Sequence, residues 1–195
     1  MIVLPCNRTG PIKEVPFTEE EQLDAVNEIH SAFDAVTLKN CHSAVVGTGG
    51  TARASTKVAI VRALKKSQGE GGTFFDVGCG FGHFMLAALN TGFSSACGCE
   101  LPDNEAVQRG VFFEVQDRVA PDDPCEWIAS DVTTLDLPQR LCRTITSVYS
   151  FWCGISPAAQ RRTLDLCRDT LVNVTSVAVY LAKEWQTPKH GMAAI

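Results

Sequence analysis

The chain has 195 residues, of which 45% are hydrophobic and 20% are charged, a balance typical of one globular domain. Its net charge of −5 disfavours direct binding of DNA or RNA, because phosphate contacts need clustered lysine and arginine side chains. No apolar run reaches the roughly 20 residues of a membrane-spanning helix, and the N-terminus does not resemble a secretory signal, so we expect an intracellular protein without membrane contact.

The first part of the chain divides into an arm and a helix. Residues 1–17 contain three prolines and little periodicity, which predicts an N-terminal arm ahead of a single domain over residues 18–195. Thr18, followed by three glutamates, is typical of a helix N-terminus. Apolar residues at helical spacing continue this helix through Phe33.

A loop and a second helix come next. The glycine-rich segment Gly47–Thr51 is predicted to be a flexible loop. The segment Ala54–Lys66 has apolar residues at helical spacing and ends in two lysines, which favours a helix. The turn Gly69–Gly72 is suited to end that helix.

From residue 73 onward, short apolar segments alternate with helical ones. Strands are predicted at Thr73–Val77, Ser95–Glu100, Trp127–Ser130, Thr144–Ser150 and Val177–Ala182. Helices are predicted at His83–Asn90, Asn104–Arg118 and Pro157–Leu171. The alternation predicts an α/β fold, a doubly wound and mostly parallel sheet with helices on both faces.

The turn after the first of these strands is the strongest local motif. Residues 76–82 read D-x-G-x-G-x-G, whereas dinucleotide sites use G-x-G-x-x-G. Gly78, Gly80 and Gly82 allow a ligand to approach the backbone closely. Asp76 would repel a pyrophosphate but suits the cationic aminoacyl end of S-adenosylmethionine (SAM). His83 follows the turn, where it either contacts the cofactor or lies exposed in the first turn of a helix.

Two further acidic residues follow the next two strands. Glu100 closes its strand, where a carboxylate can accept hydrogen bonds from ribose hydroxyls. Asp131 follows the third strand and can accept from an adenine amino group, while Val132 can pack on the ring. Ligands of such sheets bind at the carboxyl ends of the strands, so these residues predict one cofactor site. The alternative is that they are loop acids that cap helices beside a turn.

These motifs together resemble class I SAM-dependent methyltransferases, and more narrowly the DOT (disruptor of telomeric silencing) histone-lysine methyltransferases. Members have D-L-G-S-G-V-G where this chain has Asp76–Gly82, and G-V-E or G-C-E at residues 98–100. Their G-D-F corresponds to residues 130–132, and N-N-F-x-F-G to Tyr149–Gly154. The similar stretch runs from about Gly72 to Trp185, a little over half the chain.

The resemblance implies SAM as cofactor and a protein substrate, with a histone in the nucleosome as the family's acceptor and the nucleus as its location. Ser150, Phe151 and Trp152 follow the fourth strand, where the acceptor would meet the methyl group. Phe151 and Trp152 either wall a lysine channel or pack in the core. Tyr149 is predicted to be a strand residue without a role in the site.

Three departures from the family leave other interpretations open. The Y-G-E loop has no counterpart around Gly47–Thr51, and Ser150 replaces the family's Asn. The two edge strands that usually follow are missing, so we expect either a truncated domain or a partner chain that completes the sheet. The alternatives are therefore a cytoplasmic class I methyltransferase with another protein or small-molecule acceptor, or a catalytically silent interaction domain.

The cysteines do not indicate a metal site. Their number, nine, is odd, and they include no C-x-x-C pair. Only Cys97 and Cys99 lie close together, whereas structural zinc sites use two closely spaced ligand pairs. We expect reduced, partly buried thiols and no metal.

Overall fold

The structure, a computed structural model, describes residues 2–5, 18–40, 52–68, 71–153 and 155–180. The strands are β1 (Ile2–Pro5), β2 (Thr73–Val77), β3 (Ser95–Glu100), β4 (Cys125–Ala129), β5 (Ile145–Phe151) and β6 (Ser176–Tyr180). The helices are α1 (Glu19–Asn40), α2 (Ala54–Lys66), α3 (His83–Leu89), α4 (Glu105–Val119), α5 (Gln139–Thr144) and α6 (Pro157–Asp165). A 3₁₀ turn, Pro102–Asn104, precedes α4, and a π-helical turn, Leu166–Thr170, follows α6.

The strands form one sheet in the order β1-β6-β5-β2-β3-β4. Strands β2 to β6 are parallel, and β1 pairs antiparallel with β6, with Ile2 opposite Val179. The winding reverses at β2, which lies between β3 and β5, so the carboxyl end of β2 is the point where a ligand cleft is expected. The predicted doubly wound α/β fold is confirmed.

Each face of the sheet is covered by its own helices and packs its own core. On one face, Phe74 and Tyr149 pack with residues of α1, α2, α3 and α4. On the other face, Phe75 and Val148 pack with residues of α5 and α6. Because successive side chains of a strand point to opposite faces, the fully buried β2 contributes to both cores.

Helix α1 begins as its sequence predicts. The Thr18 hydroxyl accepts a hydrogen bond from the Glu21 backbone N–H at 3.2 Å, and the Glu21 carboxylate accepts one from the Thr18 N–H at 2.8 Å. This reciprocal capping fixes the start of the helix. Its apolar residues pack against the helices that follow. The fully buried ones are Val26, Ile29, Phe33 and Val36.

The structure differs from the predicted elements in three places. Residues 2–5 of the predicted arm form β1, a strand that depends on its partner β6 and has no periodic signal of its own. Helix α5 was not predicted, because six residues are too few to show helical periodicity. The predicted helix over residues 157–171 divides into α6 and the π-helical turn.

Some predicted features lie outside the described residues. These are the Gly47–Thr51 loop, residues 6–17 of the arm, Gly154 and Trp185. None of the helices that the structure describes is both long enough and apolar enough to cross a membrane.

Candidate functional site

A cavity of about 450 Å³ lies at the carboxyl ends of the central strands. Its volume is within the range of small-molecule binding sites. The site residues predicted from the sequence that line it are Asp76, Gly78, Gly80, His83, Glu100, Asp131, Val132 and Phe151. Residues that are far apart in the chain therefore meet at one place.

The glycine turn is held by hydrogen bonds to the neighbouring strand. The backbone N–H groups of Gly78 and Cys79 both donate to the Cys99 carbonyl, at 2.9 and 3.1 Å. The indole of Trp127 donates to the Gly80 carbonyl at 3.1 Å. Gly80 has φ +53°, and a Cβ there would meet no atom within 4 Å, so the turn leaves open space beside its backbone.

Glu100 is fixed by two backbone donors. One carboxylate oxygen accepts from the Gly80 N–H at 2.7 Å, and the other accepts from the Leu101 N–H at 2.8 Å. Each carboxylate oxygen has two lone pairs, so both retain capacity for ligand hydroxyls. The turn and the acid predicted to share a ligand are thus joined directly to each other.

Asp76 is the buried acid of the site, with 2% of its surface exposed. Burial raises the pKa of its carboxyl well above the usual range, and the Glu100 carboxylate raises it further, while Lys57 opposes both. A positive group placed near Asp76 and Glu100 would relieve their repulsion. The site is therefore suited to a cationic part of a ligand.

Asp131 and Val132 line another side of the cavity. One oxygen of the Asp131 carboxylate accepts from the Thr133 backbone N–H at 2.8 Å, which fixes the side chain on its own turn. Val132 belongs to the core beneath α5 and α6 and presents an apolar surface to the cavity. This side thus combines a hydrogen-bond acceptor with an apolar wall.

Three predicted site residues do not line the cavity: Gly82, Ser150 and Trp152. Ser150 is fully buried, and its hydroxyl donates to the Val77 carbonyl at 3.0 Å. Trp152 is also largely buried. Side chains alternate along a strand, so Phe151 faces the cavity while its neighbours do not. Of the three predicted acceptor-side residues, the structure brings only Phe151 to the cavity.

Tyr149 was not predicted as a site residue but lines the cavity. It lies beside Asp76 in the strand register, and its ring stacks on Phe84 with 4.0 Å between centroids. Within the described part of the chain its buried hydroxyl has no hydrogen-bond partner. The signal was available, because the alternation that brings Phe151 to the cavity also brings Tyr149 there.

Lys57 was also not predicted, and it comes from α2. Its side chain is 0% exposed and lines the cavity. The ammonium donates to the Ala52 carbonyl at 2.8 Å and lies 2.6 Å from His30 Nε2. Burial lowers the pKa of Lys57 to about 8, although Asp76 opposes the shift. Its sequence signal is a lysine within the apolar stripe of α2.

The surroundings of the two histidines beside Lys57 lower the pKa of both. The His83 ring stacks on the Phe33 ring with 3.8 Å between centroids. The His30 and His83 rings are in an edge-to-face arrangement with 5.5 Å between centroids. Burial lowers the pKa of His83 well below the usual range, and Lys57 and His30 lower it further. Burial and then Lys57 also lower the pKa of His30, while Asp34 opposes them. His83 therefore lines the cavity while its ring packs against Phe33 and His30.

Most of the described cysteines do not line the cavity. Those that do lie in the glycine turn and at the ends of strands. Cys97 and Cys99 are buried on the face covered by α5 and α6. Burial raises the pKa of the Cys99 thiol to about 12. In the ranges that the structure describes, no group of three or more His, Cys, Asp or Glu side chains is arranged to hold a metal ion.

Comparison with known proteins shows similarity in structure only. No protein-family model and no curated protein matches the sequence. A Pyrococcus horikoshii protein described as an RNA methyltransferase has 15% identity and a TM-score of 0.52, over 81% of this chain and 75% of that chain. The C-terminal domain of precorrin-6Y C5,15-methyltransferase from Rhodobacter capsulatus has 16% identity and a TM-score of 0.48, over 70% and 67%.

A third structure has a lower TM-score. It is described as a SAM-dependent methyltransferase from Methanococcus maripaludis, with 11% identity and a TM-score of 0.43, over 80% of this chain and 61% of that chain. At these identities the likeness to the Pyrococcus protein establishes the fold. The chain has the Rossmann-like fold found in class I methyltransferases.

Proposed function

We propose that this chain is a SAM-dependent methyltransferase. The observation that carries the proposal is that the glycine turn, Glu100 and Asp131 line one cavity on a methyltransferase-type fold. The sequence predicts these residues to be SAM contacts. The size of the cavity and the open space beside Gly80 fit a nucleoside ligand that approaches the backbone.

Three parts of SAM, its amino group, its ribose and its adenine, have a suitable partner in the cavity. Asp76, buried near Glu100, favours the cationic amino group. Glu100 keeps lone pairs for the ribose hydroxyls after accepting from two backbone donors. Asp131 can accept from the adenine amino group, and Val132 can pack on the ring. The residues present therefore fit this cofactor.

SAM, when bound, supplies an electrophilic methyl group. The chain's own contribution is to orient the acceptor and to exclude water from it. Phe84 and Phe151 line the cavity and provide apolar surface for both purposes.

The acceptor and the location stay predictions. The resemblance to the DOT family implies a protein lysine, with the histones of the nucleosome as the candidate and the nucleus as the location. A class I methyltransferase with another acceptor would be expected in the cytoplasm. A silent interaction domain would have the same fold without turnover, so cofactor binding is the first property to measure.

The experiment is a calorimetric titration with SAM and with S-adenosylhomocysteine. Wild-type protein is compared with Gly80→Arg, which fills the space beside the turn, and Glu100→Ala, which removes the carboxylate. Gly110→Arg is the matched control, because Gly110 lies exposed on α4 and a Cβ there meets no atom within 4 Å.

We expect wild type and Gly110→Arg to bind with micromolar affinity, and the two site variants to lose binding by at least about tenfold. Circular dichroism checks that each variant is folded. If folded wild-type protein binds neither ligand, the proposal is wrong. If binding is present but no acceptor is methylated, the silent-domain interpretation is favoured.

A further inference from the structure

The inner end of the cavity, beneath α1 and α2, contains polar groups that the fit to SAM does not use. They are Lys57 on α2 and Tyr149 on β5, with Asp76 and His83 beside them, and His30 on α1 is hydrogen-bonded to Lys57. Lys57 and Tyr149 both line the cavity, and both are at least nine-tenths buried. A ligand group that reaches them leaves bulk water behind.

Lys57 has one donor still available. Of its three N–H groups, one donates to the Ala52 carbonyl and one to His30 Nε2, and its ammonium lies 5.6 Å from the centre of the Phe84 ring. His30 accepts through Nε2 and is neutral, so it does not balance the lysine charge. Within the described ranges, Lys57 has no direct ion-pair partner and is attracted to Asp76 only at longer range.

Tyr149 supplies a second donor. Its hydroxyl is buried without a hydrogen-bond partner among the described residues, which is unfavourable unless a ligand atom completes it. The Tyr149 ring is stacked on the Phe84 ring, and the Lys57 ammonium lies over the same Phe84 ring. The two open donors therefore serve the same end of the cavity.

Two donors, one of them charged, select the chemistry of the group that they bind. An acidic oxygen satisfies both, and it balances Lys57 once Asp76 is paired with the cationic part of SAM. A lysine side chain arrives as an ammonium, which offers no lone pair and brings a second positive charge next to Lys57, so it would have to lose a proton before it could accept from either donor. The inner end thus favours an acid and disfavours a cationic side chain.

We propose that Lys57 and Tyr149 bind an acidic oxygen of the methyl acceptor, so that the acceptor is a small organic acid and not a lysine side chain. The proposal rests on the proposed function for the identity of the acceptor. It is distinct from cofactor binding, because Lys57 and Tyr149 are not among the SAM contacts predicted from the sequence.

The test compares benzoate with benzylamine, which share a ring and carry opposite charges. Each probe is titrated calorimetrically into wild-type protein, with and without saturating S-adenosylhomocysteine, at pH 7. Histidine side-chain NMR follows His30 in parallel, because its Nε2 is bonded to Lys57. The variants are Lys57→Met and Tyr149→Phe. Lys65→Met is the matched control, since Lys65 is also a buried lysine on α2 but donates to the Gly71 carbonyl.

We expect wild type to bind benzoate at least about tenfold more tightly than benzylamine, with a shift of the His30 resonances. Lys57→Met should remove this preference, and Tyr149→Phe should weaken benzoate binding by a smaller factor without unfolding the protein. Lys65→Met should bind benzoate like wild type. Equal binding of the two probes by wild type, or an unchanged preference in Lys57→Met, would overturn the proposal.

A second comparison separates the acceptor from the carboxylate of SAM itself. Lys57→Met is titrated with S-adenosylhomocysteine and with 5′-methylthioadenosine, which lacks the amino-acid group. If only S-adenosylhomocysteine binding falls and benzoate binding does not change, the acidic oxygen belongs to the nucleoside ligand and the proposal is wrong. If wild type binds no nucleoside but still prefers benzoate, the proposed function fails while the acid-binding inner end stands.

Discussion

At the scale of single residues, the candidate site combines ionisable groups that folding has removed from water. Asp76 and Lys57 are each almost completely buried, and they attract each other without direct contact. Burying a charge without a close partner costs stability. A ligand of opposite charge would balance such a group. The pH dependence of stability and the effect of substituting the group therefore test whether it is buried in its charged form.

Lys57 gives a prediction for the pH dependence of stability. Its folded pKa of about 8 lies below the 10.5 of an ordinary lysine, so between these values the unfolded chain binds more protons. The free energy of unfolding therefore rises with pH in that window, and the full cost, about 3 kcal/mol, acts below pH 8. In urea unfolding, we expect wild type to gain this amount relative to Lys57→Met between pH 8 and 10.5. A difference independent of pH would contradict the burial of a charged lysine.

Gly82 gives a prediction for packing in the turn. It has φ +81°, and an added Cβ would lie 2.4 Å from Phe112 Cδ2. We expect Gly82→Ala to lower the free energy of unfolding by about 2–4 kcal/mol, from backbone strain and overpacking together. Urea denaturation measures the change.

Gly110→Ala is the control for this substitution. Gly110 lies exposed within α4, where a Cβ meets nothing, so alanine should stabilise the helix by about 1 kcal/mol. Equal effects at the two positions would mean that Phe112 does not pack against the turn.

At the scale of elements, the register of the central strands brings the site together. Asp76 lies between Gly98 on β3 and Tyr149 on β5. The glycine turn after β2 is then joined to the end of β3 through the Cys99 carbonyl and Glu100. Helices α1 and α2 cover this end with Lys57 and His30. The strand register and the helices that cover it therefore assemble the cleft from separate segments.

The start of α1 gives a prediction at this scale. Thr18→Ala removes the hydroxyl that accepts from the Glu21 N–H, so we expect a loss of about 1 kcal/mol in the free energy of unfolding. Ser31→Ala is the control, because Ser31 lies exposed within the same helix and its hydroxyl bonds only to the Asn27 carbonyl. It should leave stability unchanged or raise it by a few tenths of a kcal/mol. Similar losses in both variants would contradict a specific cap.

At the scale of the whole molecule, one sheet carries two cores. Phe33 of α1 belongs to the core on one face, and Leu166, after α6, belongs to the core on the other. The buried strand β2 contributes side chains to both. The two faces are thus expected to unfold together.

This coupling is testable with one substitution in each core. Phe33→Ala should cost about 3–5 kcal/mol and Leu166→Ala about 2–5 kcal/mol. Each should shift a single urea transition that is the same by tryptophan fluorescence and by circular dichroism. A transition that splits in either variant would mean that one helical layer unfolds separately.

The alternation of strands and helices, the glycine turn and the acids at the strand ends can all be predicted from the amino-acid sequence. These signals are local, because periodicity, capping and turn chemistry act within a few residues. The parallel sheet follows from them, since connections of this kind are short and right-handed. The candidate site residues Asp76, Gly80 and Glu100 can therefore be predicted from the sequence.

The remaining residues of the site depend on long-range packing. Lys57, His30 and Tyr149 come from three elements separated by up to 119 positions, and no local pattern links them. Strand alternation then directs Ser150 away from the cavity and Tyr149 into it, a difference of one residue. Strand β1 likewise exists only through its pairing with β6. Long-range packing sets these contacts, because each depends on the surface that another part of the chain presents.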